Sequence, residues 1–274
     1  MAFDIHQEIT NRIIAEIETG TIPWKKPWIA RGGAVSYKTG KPYSLLNQML
    51  LGEPGEYVTY KQAQELGGQV RKGAKSKIVV FWKQVKAEDE ETGEVKLYPV
   101  LRYYNVFHIR DVDGLSPKHE APLPNCVSPS VRGTGIIHKY LIHSGVTLRH
   151  VAGDRAYYTP ATDTVILPRR EQFKSTAEYY STAFHELSHS TGHASRLDRL
   201  DKVAAFGSDD YSKEELVAEI AAASLTYHAG LETASSFKNS AAYVQGWLTA
   251  IKNDKRLIVS AAGRAEKAVS LILG

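Results

Sequence analysis

Isoleucines at positions 5, 9, 13 and 17 recur every fourth residue, so they line one face of a helix over residues 4–19, which Gly20 ends. A loop containing Trp24-Lys25-Lys26-Pro27-Trp28 follows, then a short helix over 44–51. Thr59 and Gln62 form a capping box for a second short helix, stopped at Gly67-Gly68. The apolar run from Ile78 to Trp82 predicts a strand over 77–86, and the Val-, Tyr- and Leu-rich stretch 94–112 predicts one long strand or two short ones. Further on, the pattern predicts a helix over 135–143, a strand over 146–151 and a hairpin over 156–167 turning at residues 159–163. Ser175 opens a helix with an S-x-x-E box, and Ser212 caps a strongly helical run through residue 223. A last helix is expected from about residue 240 into the tail. The fold class is α+β.

Residues 116–129 hold four prolines and break the pattern, which reads as an extended connection. The expected division is an N-terminal domain over 1–125 and a C-terminal domain over 126–274. A chain of 274 residues is long enough for both. Its one cysteine, Cys126, allows no intrachain disulfide, and no run of 18 apolar residues exists to span a membrane. With no signal-peptide pattern at Met1, a cytoplasmic protein is expected.

His185-Glu186-Leu187-Ser188-His189 is the strongest chemical signal. Two histidines four apart on a helix share a face, so both imidazoles can reach one ion, and zinc takes nitrogen donors. Glu186 is placed to take a proton from water on that ion, the H-E-x-x-H arrangement of zinc peptidases. A third ligand must come from elsewhere. His193 is two residues short of the position a longer histidine pattern would need, where this chain has Ser195. Glu215 and Glu219 lie one turn apart, with the spacing of zinc enzymes whose third ligand is a glutamate and whose next acid steadies a histidine. Glu215 is the expected ligand and Glu219 the supporting acid. If Glu215 instead completes a capping box with Ser212, Glu219 becomes the ligand. Zinc is the expected ion, with another divalent ion such as Mn2+ as alternative. Electrophilic help could come from Tyr211 or His193.

Net charge is only +4, but its distribution is uneven. Residues 19–52 contain no acid, and residues 61–86 contain seven basic residues against Glu65. Trp24, Trp28 and Trp82 fall among these segments, and Arg71-Lys72-Gly73-Ala74-Lys75 is a basic loop before a strand. Aromatic rings that stack bases, together with cations along a backbone, are what single-stranded nucleic acid requires. The candidate contacts are Trp24, Lys25, Lys26, Trp28, Arg71, Lys72, Lys75 and Trp82; of the three tryptophans Trp82, inside an apolar strand, has the setting closest to that of a core residue.

Taken together, residues 22–28, 59–63, 66–73, 79–83 and 104–107, the 185–189 motif, Thr191-Gly192-His193, Arg196-Leu197 and residues 214–220 resemble the ArdC family of plasmid antirestriction proteins, related to the N-terminal parts of certain plasmid primases. Ser188 departs from the glycine that relatives often carry. The resemblance implies an N-terminal single-stranded-DNA-binding domain, a C-terminal zincin-like metallopeptidase domain, and protection of incoming plasmid DNA from host restriction during conjugation. The alternative expectation is a cytoplasmic zinc endopeptidase, with a host restriction protein or another protein as substrate, whose N-terminal part selects that substrate. A pure binding module with structural metal fits less well, because such a site needs no general base.

Overall fold

The computed structural model describes residues 3–25, 33–88, 95–119, 129–200, 209–231 and 241–274. Helix α1 (Ile5–Glu18) buries its isoleucine face and is capped by Asp4, which accepts from the His6 and Gln7 amides. The chain continues through β1 (Ala34–Ser36), α2 (Leu45–Leu51), β2 (Gly55–Val58), α3 (Tyr60–Glu65), β3 (Gln69–Val70), β4 (Lys77–Glu88), β5 (Val95–His108) and β6 (Val112–Asp113). Ser44 caps α2, and the Thr59–Gln62 box is reciprocal. The apolar stretch after residue 94 is one long strand, β5, followed by a 3-10 turn and the two-residue β6. Strands β1, β2 and β3 are too short to leave a period-two signature.

A four-stranded sheet runs β1-β2-β5-β4, with β1 parallel to β2 and the other pairs antiparallel; β3 pairs with β6. The first part of β4 is buried on both faces. Ile78 and Val80 enter the large core, while Val79 joins Tyr57 and Val106 in a smaller cluster. Beyond them Asn47 of α2 takes the place of a neighbouring strand: its side-chain amide donates to the Val80 carbonyl and accepts from the Val80 amide, both at 2.8 Å.

The second half comprises α4 (Pro129–Ser144), β7 (Thr147–Val151), β8 (Tyr157–Thr159), β9 (Thr164–Pro168), α5 (Thr176–Ser190), α6 (Asp209–His228), α7 (Ala241–Asn253) and α8 (Leu257–Leu273). Helix α4 starts earlier than expected, at a proline whose fixed φ suits a first turn. Strands β8 and β9 form the expected hairpin, and β9 pairs parallel to β7, leaving β8 at the edge of a three-stranded sheet. Two expectations are corrected. The single terminal helix is two, α7 and α8, because the Asp254 carboxylate accepts the Arg256 amide at 2.8 Å and turns the chain between them. Helix α6 begins at Asp209, so Ser212 lies inside it and the capping box with Glu215 does not form.

One hydrophobic cluster joins both ends of the chain. Ile9, Ile13, Trp24, Met49 and Val80 share it with Tyr180, Leu216, Trp247 and Ile258. Helix α1 is tied to the α7–α8 turn by the Thr10 hydroxyl on the Lys255 carbonyl, at 2.9 Å, and by an Asp4–Lys255 ion pair. The middle of the proline-rich connection, residues 120–128 with Cys126, lies outside the described residues. Among the described residues no helix is long and apolar enough to cross a membrane.

Candidate metal centre

Ser175 starts α5 by accepting the Glu178 amide, and Tyr179, Ala183, Phe184 and Leu187 bury its inner face. This packing aims His185 and His189, one turn apart, at α6. Their Nε2 atoms lie 3.1 Å from each other, and the Glu215 carboxylate lies 3.5 Å from the first and 3.3 Å from the second. The donor atoms of His185, His189 and Glu215 all fall within 4.8 Å of one another. Two imidazole nitrogens and a carboxylate converging in this way form a donor set that suits a divalent ion. Burial opposes charge on Glu215, but hydrogen bonds from His185 and His189 overcome it and hold the carboxyl far below its ordinary range.

The other ring nitrogens face different acids. Glu219 lies 3.7 Å from His185 Nδ1, and Glu214 lies 3.5 Å from His189 Nδ1. Glu219 therefore stands behind its histidine, while Glu215 stands with the converging donors. Glu214 was not foreseen. It is gripped by Arg199, whose Nε and Nη2 approach its two oxygens at 3.1 and 2.9 Å. The same guanidinium donates to the Ser188 carbonyl and the Thr191 hydroxyl, both at 3.0 Å, so it fastens the end of α5 to α6. Gly192 makes room for this: a Cβ there would come within 2.9 Å of Leu200 and 3.2 Å of Arg199. The Arg199–Glu214 pair spans 15 residues and leaves no periodic trace in the sequence.

Glu186 is buried beside the histidines and accepts a backbone hydrogen bond from Tyr158 of β8. Burial pushes its carboxyl above the ordinary value, against the pull of His185 and His189. A cleft of about 370 Å³ opens here between the edge strand and the two helices, lined among others by Tyr157, Tyr158, Glu186 and Leu200. Ser188, buried, donates to the Phe184 carbonyl at 2.7 Å, so the serine is accommodated without reaching the donors. His193 is not among the residues lining the cleft and pairs with Ser195 at 2.8 Å; the side chain of Tyr211 lies outside the described residues.

The nucleic-acid candidates separate into three groups. Trp24 is 5% exposed and packs edge-on against Trp247 with ring centres 5.5 Å apart, so it is a core residue and not a stacking platform. Trp82, the candidate whose apolar strand most resembles core, is 56% exposed. A continuous apolar run reads as a buried strand, but β4 outruns its cover after Val80. Arg71, Lys72 and Lys75 are exposed, with Arg71 paired to Asp113 at 2.7 Å. Lys26, Trp28 and the side chain of Lys25 lie outside the described residues. The exposed rings of Phe81, Tyr98, Tyr103 and Tyr104 on the β4–β5 ribbon were missed. Phe81 and Tyr104 lie 5.0 Å apart, with Lys83 and Arg102 exposed beside them.

Fold and site together define a zincin-like metallopeptidase domain joined to an α+β N-terminal domain. Residues 137–264 match the family model of zincin-like metallopeptidases, and residues 3–107 match that of the N-terminal domain of the anti-restriction factor ArdC. The chain belongs to the ArdC antirestriction family. It is similar over 98% of its length to the antirestriction ArdC protein from plasmid R388, whose metal-free crystal structure aligns at 40% identity and a TM-score of 0.79 over 97% of that chain. The Mn(II)-bound structure of the same protein aligns at 38% identity and a TM-score of 0.79. Among curated proteins it is 38% identical to two DNA primases TraC of Escherichia coli, and spans only 20% and 27% of their lengths. An uncharacterized protein, y4eC, of Sinorhizobium fredii is 33% identical, with 96% of this chain and 90% of that protein aligned.

Proposed function

We propose that the protein binds single-stranded DNA and shields incoming plasmid DNA from host restriction during conjugation, in the cytoplasm of the receiving cell. Residues 1–125 would supply the principal DNA surface, and residues 126–274 the metallopeptidase-like domain. The observation that carries this reading is the exposed aromatic and cationic ladder of the β4–β5 ribbon, where Phe81, Tyr104, Lys83 and Arg102 stand together. Exposed rings offer unpaired bases a face, and the neighbouring cations suit the phosphates between them. Membership of an antirestriction family and similarity to a plasmid ArdC protein and to DNA primases point the same way. The test is titration of the full chain with single- and double-stranded DNA across a salt series, beside plasmid transfer into restricting and non-restricting recipients. Tighter single-strand binding, and improved transfer into restricting cells alone, is the expected result. Equal affinity for both forms with no effect on transfer refutes the reading.

His185, His189 and Glu215 would hold the ion, zinc by donor type, with Mn2+ also suited in view of the relative's bound metal. When bound, such an ion supplies Lewis acidity toward a carbonyl and toward water. A second reading, hydrolysis of a peptide bond, is favoured by the edge strand. An extended polypeptide can pair with β8, whose Tyr158 amide already donates to Glu186. Glu186 would then take a proton from water in the cleft and return it to the leaving amine. Glu186→Gln should keep the metal and lose any cleavage of unfolded protein substrates; cleavage at the unchanged rate removes Glu186 from the chemistry.

A further inference from the structure

Trp82 does not stand on an open face. It projects into a cleft between β4 and α8 with a volume of about 1130 Å³, whose floor includes Leu46, Val80, Leu101 and Val259. A second depression of about 400 Å³ continues it toward α6, sharing Trp82, Val259, Ser260 and Arg264 with the first. The exposed face of α8 facing this path is small and basic: Ser260, Gly263, Arg264 and Lys267 follow one another at helical spacing. Lys213 of α6 and Arg256, just before α8, line the continuation.

The acids of the path are already committed. Glu266 is half-buried and accepts a hydrogen bond from the Leu45 backbone, and Asp254 accepts the Arg256 amide. Arg256, Arg264 and Lys267 outnumber the carboxylates of Asp254 and Glu266 along the path, so its walls are positive. An exposed indole over an apolar floor, flanked by cations and small residues, is the chemistry of a base-stacking groove and not of a peptide pocket. Duplex DNA has no unpaired base to offer Trp82.

Resting on the single-strand reading above, we propose that this cleft holds a single-stranded polynucleotide, with a base stacked on Trp82 and phosphates on Arg264, Lys267 and Arg256. The metallopeptidase-like half thus supplies one wall of the DNA site. Lys213 immediately precedes Glu214, so a strand in the cleft lies against the helix whose other side faces His185 and His189.

Labelled oligo-dT is titrated into the full-length protein, its Arg264→Ala/Lys267→Ala variant and Trp82→Ala, by fluorescence anisotropy across a salt series. The double variant should bind about tenfold or more weakly, and its log–log salt slope should fall by about 1.4, at roughly 0.7 per lost phosphate contact on a single strand. Trp82→Ala should weaken binding by about five- to 150-fold, and an iodouridine oligonucleotide should photo-crosslink to Trp82. Arg264 and Lys267 are exposed, so thermal melting of the double variant should match the parent. A parent that binds oligo-dT, with variants of the same affinity and slope, overturns the cleft while leaving the single-strand function standing. A parent that binds no oligo-dT removes that function, and the cleft with it. Protection of Trp82 by an unfolded polypeptide but not by oligo-dT assigns the groove to protein and overturns the proposal.

Discussion

At His189 the two ring nitrogens have different tasks. Nε2 faces the converging donors and Nδ1 faces Glu214, 3.5 Å away. An imidazole that must present a lone pair at Nε2 carries its proton at Nδ1, and an acid behind it fixes both tautomer and ring angle. Glu214 can do so only because Arg199 holds both its oxygens. Glu214→Gln is expected to lower metal affinity by about 10- to 100-fold while Glu215→Ala abolishes stoichiometric binding; a competitive chelator titration measures both. Glu219→Ala should fall between them, and a loss there larger than in Glu215→Ala would move the ligand to Glu219. The histidine pair and the paired acids were legible because helical periodicity fixes which residues share a face. Glu214 and Arg199 were not, since a contact between a loop and a helix leaves no period.

Asp163 gives a pH signature at the same scale. It binds the guanidinium of Arg196 through both oxygens, at 2.5 and 2.9 Å, and accepts the Tyr158 hydroxyl at 2.7 Å. Burial would raise its carboxyl, but Arg196 and Tyr158 hold it below the ordinary value of 3.8. Because the folded value lies below the unfolded one, this stabilisation is complete above about pH 5 and is lost as pH falls through the folded value. Asp163→Asn should cost about 1–3 kcal/mol at neutral pH. The gap between the urea midpoints of parent and variant should close as pH falls below about 3.8; a gap that stays constant well below that pH, where the carboxylate protonates, would mean the charge contributes nothing.

Among the elements, β4 shows how one strand carries two environments. Its first residues are covered on both faces, whereas Phe81 to Gln84 are exposed, so the same apolar run contains core at Val80 and an exposed ring at Trp82. Hydropathy reports residue type and not cover, which is why one candidate base contact, Trp24, lies in the core while another, Trp82, is exposed. Trp24→Ala should destabilise the fold by about 3–5 kcal/mol through the cavity left against Trp247, whereas Trp82→Ala should leave the melting temperature within a degree or two of the parent. A stable Trp24→Ala protein would place that ring outside the core. The short helices, by contrast, were legible to within a residue, because Ser44 and Thr59 announce their own caps.

Over the whole molecule, the isoleucine face of α1 was legible but its partner was not. Periodicity shows that a face is buried and says nothing of what buries it. The partner includes α7 and α8, so the core does not respect the proline-rich connection. Ile13→Ala should cost about 2–5 kcal/mol. Because Ile13 shares its cluster with Leu187 and Leu216, the loss should appear in the unfolding of α5 and α6 as well as of the N-terminal sheet. Hydrogen exchange would follow both; protection retained in α5 and α6 while the N-terminal half opens would show two independent units.

The hydrogen bond from Thr10 to Lys255 joins residues 245 positions apart. During synthesis the sticky side of the first helix emerges long before the surface that receives it. Neither half is then a finished intermediate on the ribosome, and the interval in between is open to chaperones and to aggregation. Closing a loop of that size delays the final docking step, so refolding should be slow and multiphasic for a chain this rich in helix. A protein built this way completes its shared core only once α8 has been made.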